Sequence, residues 1–383
     1  MLQPRHTGTI FRLWAVIAVG IAVQCPALAQ GSPDKNGKVI EFDPPLVTTE
    51  VSAACGSGCG TQALANNDFG VVVGYYTDAK VVEHGFFRTP FGQIVSFDAP
   101  QAGLGKNDDD GTVAYSINDF GVIVGAVQDS SNVQHGFIRY VDGSFRNFDV
   151  KDAGTAMDPE CAPSCGTYAF SVNLQGGIAG IYVDANNEYH GFVRRPDGEI
   201  QTFDPSGSVF TYVCEETCLN AAGVSTGFWE DANGNYHGFI REPDGAITVV
   251  DVPGANGFSG CASINWEGAT TGYFLGSDGV YHGYVRSPEG TFTTFDAPGA
   301  AGLGTAVFSI NAVGTVTGEY FDAGNALHGY SRTADGVFST FDAPNGGTTA
   351  FQGTRPSTNN LLGSVAGWYV DENGLNHGFV WVP

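Results

Sequence analysis

Basic residues are scarce in this sequence. Its 383 residues hold 16 Lys and Arg against 40 Asp and Glu, a formal net charge of −24. That balance opposes binding to nucleic acid or an anionic membrane and attracts cations or basic partners. Long apolar runs are missing as well. The one stretch of note, Leu13 to Val23, is too short to span a bilayer, and no later segment does better. Arg5 and Arg12 precede its core and Ala27-Leu28-Ala29 follows it, the pattern of an export signal cleaved near Ala29. Gln24 before Cys25 fits a lipid-anchor site poorly. Residues 1–29 are therefore expected to be a leader, and 30–383 one secreted or periplasmic domain without membrane insertion. Losing the two leader arginines leaves 14 basic residues against 40 acids, a charge of −26. The acids are dispersed among 27 Phe and 15 Tyr, so the chain is expected to fold. Fifty-five Gly with only 15% charged residues point to an all-β protein rich in turns.

An internal repeat specifies which all-β protein. A His-Gly-aromatic triplet begins at His84, His135, His190, His237, His282, His328 and His377. Fourteen residues after the first six stand Asp98, Asp149, Asp204, Asp251, Asp296 and Asp342; seventeen before all seven stand Asn67, Asn118, Asn173, Asn220, Asn265, Asn311 and Asn360, each opening an Asn-x-x-Gly turn. Between these landmarks lie four short apolar runs separated by turns such as Asp231-Ala-Asn-Gly234 and Pro243-Asp-Gly245. Four antiparallel strands recurring about every 48 residues make a propeller blade. Continuing the hairpin register places His190 opposite Asp204. The seventh copy lacks a fourth strand, and Val39-Ile40-Glu41-Phe42-Asp43-Pro44 near the N-terminus matches Phe97-Asp98-Ala99-Pro100. The expected fold is a seven-bladed β-propeller of four-stranded antiparallel blades. Its closing strand, 38–43, joins blade seven (about 348–383) and pairs Asp43 with His377, removing an exposed edge.

The triplets and the Phe-Asp-x-Pro endings resemble the HAF-type extracellular repeats of bacteria, named for a His-Ala-Phe triplet that here reads His-Gly-Phe or His-Gly-Tyr. The resemblance covers essentially all of the chain after the leader. It implies a secreted, propeller-like protein. That family has no established activity, so the resemblance transfers no catalytic residue.

The His–Asp pairs invite a catalytic reading, but a dyad is not a triad and no nucleophile recurs beside it. Seven copies around a ring cannot serve one active site, so the pairs read as cross-strand hydrogen bonds that pin each blade. The repeating Arg88, Arg139, Arg194, Arg241, Arg286 and Arg332 read as structural in the same way. Trp229, Trp266 and Trp368 break the pattern, and core or turn packing accounts for them better than sugar stacking. Among the cysteines, Cys55/Cys59 and Cys161/Cys165 read as short loop-closing disulfides of an exported protein. Cys214 and Cys218 share the spacing, but in an extended strand they would lie about 13 Å apart. A bridge from one of them to Cys261 is the alternative. The acidic turns lack the alternating ligands of a calcium loop, and Asx-Gly is what a tight hairpin needs anyway.

The clearest functional pointer is where the repeat becomes irregular. From each Asp to the next Asn the connections span 24, 20, 24, 16, 14, 15 and 18 residues, beginning at Asp43. The long ones adjoin one another, leave one face, and carry Cys55, Cys59, Cys161, Cys165 and the run Asp108-Asp109-Asp110. Irregular loops on a rigid scaffold are where binding sites concentrate, although surface loops also drift neutrally. The expectation is a non-catalytic binding or scaffold protein presenting this face to a polysaccharide, cell-surface or protein partner. It requires no cofactor, and calcium is a candidate ion for Asp108–Asp110. An extracellular glycan hydrolase or lyase is the alternative, with Glu160, Glu215 and Glu216 as further carboxylates; a purely structural envelope protein is a third reading.

Overall fold

Short apolar runs of four to seven residues, cut by Asn-x-x-Gly, Asp-x-x-Gly and Pro-Asp-Gly turns, can only form short strands joined by hairpins. The computed structural model describes residues 37–51, 58–103, 110–155, 165–214 and 217–383. The expected leader, together with Cys55, Asp108, Asp109, Glu160, Cys161, Glu215 and Glu216, lies outside them. Among the described residues there are 28 strands and no helix.

The strands fall into successive antiparallel groups of four, called units one to seven in chain order. In unit one, Thr61–Asn66 pairs with Val72–Thr77, which pairs with Glu83–Arg88, which pairs with Ile94–Phe97. The same order recurs through the chain. The last group, Gly353–Asn359, Val365–Val370 and Asn376–Val382, takes its fourth strand from Lys38–Phe42, in the register Lys38↔Val382 to Phe42↔Gly378. Single parallel bridges link the third strand of one unit to the first of the next, as in Glu83↔Gly111 and Gln134↔Gly166. A bridge between Asn376 and Gly60 links unit seven to unit one.

Two devices set the spacing within a unit. The glycine after each His lies opposite the residue that precedes the Asp, a Phe in every unit but the fourth, as in Gly85↔Phe97 and Gly191↔Phe203. A Cβ at Gly191 would come within 2.5 Å of the Phe203 ring, so the hairpin closes only because that side chain is absent. Each Asn of the Asn-x-x-Gly turn accepts backbone N–H bonds within its own turn, as Asn67 does from Phe69 and Val71 at 3.2 and 3.0 Å. Its Nδ2 then donates to the carbonyl of the next unit's Asn. Asn360 donates to Asn67 at 3.1 Å, so the seven bonds run in a complete circle. These seven asparagines are buried. They satisfy turn amides and carbonyls that would otherwise be costly to sequester.

Arginine also joins neighbouring units. Arg88 lies 5.0 Å from the Phe42 ring, Arg139 4.9 Å from Phe97, Arg194 5.2 Å from Phe148, Arg241 4.8 Å from Phe203 and Arg332 4.6 Å from Phe295. Each guanidinium thus covers the ring of the preceding unit's fourth strand. The two departures fit the rule. Unit four ends in Val250 instead of Phe, so Arg286 meets no ring there, and unit seven replaces Arg with Trp381, which stacks on Phe341 at 4.6 Å.

Candidate functional site

The repeat histidines are held on both sides. Nδ1 of His84, His135, His190, His237, His282, His328 and His377 lies 2.7–2.9 Å from Asp98, Asp149, Asp204, Asp251, Asp296, Asp342 and Asp43 respectively. Nε2 faces a second carboxylate that the sequence reasoning missed: Asp78, Asp129, Asp184, Asp231, Asp278, Asp322 or Asp371, at 3.3–3.9 Å. The signal was present, because an Asp opens the turn six residues before six of the histidines and four before His282. Most of the rings also lie against an aromatic of the second strand, such as Tyr182 on His190 at 4.8 Å and Trp229 on His237 at 4.6 Å.

In six of the units this Asp–His–Asp setting favours the imidazolium. The hydrogen bond from Nδ1 to its Asp holds His84, His135, His190, His328 and His377 above the usual 6.5, with burial opposing. At His282 burial works against the charge, but the bonds to Asp296 and Asp278 outweigh it. A group so arranged is a poor general base, because its proton is shared between two carboxylates and no nucleophile recurs beside it.

Unit three differs. There Asp184, Glu188 and His190 each offer a ligand atom, all within 4.8 Å of one another. The residue two before the His is Val82, Val133, Asn235, Val280, Ala326 or Leu375 in the other units, so only Glu188 adds a third acid. In unit five a shallow groove of about 340 Å³ lies against His282, Asp278 and Asp296.

Other expected residues end up in different roles. Asp110 is fully buried, with its carboxylate packed against Gly103 and its carbonyl accepting the Glu83 N–H at 2.9 Å. It presents no carboxylate on the surface, because the strand Gly111–Ile117 starts beside it and draws it inward. Cys59 and Cys165 are disulfide-bonded. Cys214, Cys218 and Cys261 are buried thiols, so the bridge from Cys214 or Cys218 to Cys261 does not form. The Cys218 thiol meets the Cys214 carbonyl and that of Cys261 meets the Tyr284 hydroxyl at 2.9 Å; each thiol is used inside its own unit. Trp229 and Trp368 are buried, while Trp266 stands 64% exposed on its Asn-x-x-Gly turn.

The least expected pair lies on the inner strands. Glu319 is fully buried, neither carboxylate oxygen accepts a hydrogen bond, and Arg355 Nε lies 3.9 Å away. Burial pushes the Glu319 carboxyl up to about 7, against the opposing pull of Arg355.

No protein-family model matches the sequence, and no curated protein matches it. Solved structures do. The streptogramin B lyase structure is similar over 90% of this chain and 97% of its own, at 15% identity and a TM-score of 0.54. The fold is propeller-like. A puromycin hydrolase structure is similar over 85% of this chain, at 11% identity and a TM-score of 0.52, but over only 52% of its own length. At these identities the likeness extends to architecture alone.

Proposed function

We propose that the chain is a secreted, non-catalytic binding protein, a seven-bladed propeller closed by its N-terminal strand. It presents the face carrying its long connections to a polysaccharide or cell-surface partner. One observation carries this reading: the groups that look most catalytic, the seven His–Asp pairs, are spent on a repeated Asp–His–Asp bracket. What varies between units is the connections, and variable loops on a repeated scaffold are the usual seat of recognition. The resemblance to HAF-type repeats and the export-signal pattern both favour a location outside the cytoplasm. Calcium is the candidate ion for the segment of Asp108 and Asp109, and the acidic surface supports a cation or basic partner.

Melting residues 30–383 with calcium, EDTA and a panel of polysaccharide fragments tests the reading. A ligand at 100 times its Kd stabilises by about 2.7 kcal/mol, enough to move the midpoint. No shift with any of them would shift the reading to a structural role or a protein partner.

A further inference from the structure

Antiparallel pairing gives every unit two ends. The turns from first to second strand and from third to fourth lie at one end; the turns from second to third and the connections between units lie at the other. The first of these are the Asn-x-x-Gly turns, which the asparagine circle sets side by side. Units seven, one and two are tied further. The Leu361 N–H donates to Asp68 at 2.7 Å, and the Asp68 N–H to Asp119 at 2.9 Å. The two turns of a unit also meet there: a Cβ at Gly121 would lie 3.5 Å from the Val141 side chain, and one at Gly70 3.5 Å from Pro90.

These joined turns carry Leu361, Leu362, Phe69, Phe91, Phe120 and Val141, all exposed. Tight turns ask for Asn, Asp, Gly and Pro, so turn geometry explains none of them. The repeat shows the departure. The residue seven after the His is Asp142, Asp197, Asp244, Glu289 or Asp335 in units two to six, but Phe91 in unit one. The residue two after the Asn is Leu362, Phe69 and Phe120 in units seven, one and two, against Gln175, Ala222, Glu267 and Val313 in the others. Phe91 is 98% exposed and Phe69 and Phe120 are 68% exposed. At about 150–250 Å² for a whole aromatic side chain, these three rings alone present about 350–600 Å². That already matches the largest apolar patch on a typical monomer, about 300–600 Å². The aliphatic tips carry it towards the roughly 800 Å² that each partner buries in a standard interface.

We infer that the protein is a dimer in which units seven, one and two of one copy cover the same units of a second copy. Charge selects this occupant. A basic partner would be drawn to the acidic turns of units three to six. A lipid surface is held by Lys and Arg around an apolar tip, whereas the charged residues in the turns of the patch are Asp68, Asp119 and Asp142. Two copies of a chain with net charge −24 repel one another everywhere else. Across this sector the outer-turn acid of unit one is replaced by Phe91, and Asp68 and Asp119 each already accept an amide. A two-fold axis then sets the patch against itself. The long connections, at the opposite end of the units, stay free in both copies, so the contact does not depend on what they bind.

Sedimentation velocity of the full chain at micromolar concentrations tests the contact, and twice the chain mass is the expected result. Phe91→Asp restores the acid of the other units, and Phe120→Asp adds one in unit two. Each should weaken the dimer by at least about thirtyfold, the scale of a hot-spot residue, with an unchanged far-ultraviolet circular dichroism spectrum. Val313→Asp, on the exposed turn of unit six outside the patch, should leave the dimer intact. A wild-type chain that stays monomeric would overturn the inference. So would a dimer that survives Phe91→Asp and Phe120→Asp together, as one held by Leu13–Val23 would, or one that Val313→Asp weakens equally. A monomeric chain that floats with phosphatidylcholine vesicles unless Phe91 is replaced would make the patch a lipid contact instead.

Discussion

Removing residues 38–43 should destabilise the entire molecule, because that strand supplies contacts that every other unit makes for itself. Phe42 sits opposite Gly378, packs edge-on against Phe86 at 5.8 Å and lies under Arg88 at 5.0 Å. Phe42 is half-buried, so its ring contributes about half of the 1.5–3 kcal/mol of full burial, and the cation–π contact about 0.5–1 kcal/mol. Asp43 bonds His377 at 2.7 Å and accepts the Thr61 hydroxyl at 2.6 Å. Bonds to a charged group contribute about 1.5–3 kcal/mol each. The loss is therefore roughly 5 kcal/mol or more, a large share of the 5–15 kcal/mol that holds a typical domain together. Thermal unfolding of the truncated and full chains, followed by near-ultraviolet circular dichroism, should show a midpoint lower by roughly 7 °C or more. Equal midpoints would refute the reasoning and mean that Asn376–Val382 does not depend on its N-terminal partner.

Other perturbations test the same framework. Gly191→Ala should cost roughly 1–3 kcal/mol, because its Cβ would meet the Phe203 ring, and denaturant titration should register it. Arg139→Ala should destabilise more than Arg286→Ala, since Arg139 covers Phe97 and Phe145 whereas unit four offers Arg286 only Val250; equal losses would remove the cation–π account. The raised histidines contribute stability that is complete below the unfolded value of 6.5 and is lost as pH climbs through their higher folded values. The buried Glu319 carboxyl, raised to about 7, acts in the same direction. The melting point should therefore fall as pH rises above 6.5, and a rise there would contradict the Asp–His–Asp bracket.

Contacts inside a unit were legible in the sequence because hairpin register converts spacing into proximity. The fourteen-residue step from His190 to Asp204 and the Gly191–Phe203 fit both follow from one turn. The matching fragment Val39–Pro44 likewise pointed to a partner strand at the other end of the chain. Contacts between units were not legible. The circle of asparagines and the placing of five arginines over the previous unit's Phe depend on how neighbouring sheets are tilted, which no spacing within a repeat encodes. Asp110 was misplaced because a polar run looks like a loop, while the strand that follows draws its last member into the interior. Glu319 and Arg355 were overlooked for another reason. Each is conspicuous only when the seven units are aligned by strand register, because neither residue repeats.

The central claim is that the protein binds carbohydrate and leaves it intact. Titration calorimetry with polysaccharide fragments, followed by chromatography of the recovered sugar, tests it most directly. Saturable heat with every fragment recovered at its original length is the predicted result. New reducing ends or unsaturated products after prolonged incubation would contradict it and would make the molecule an enzyme.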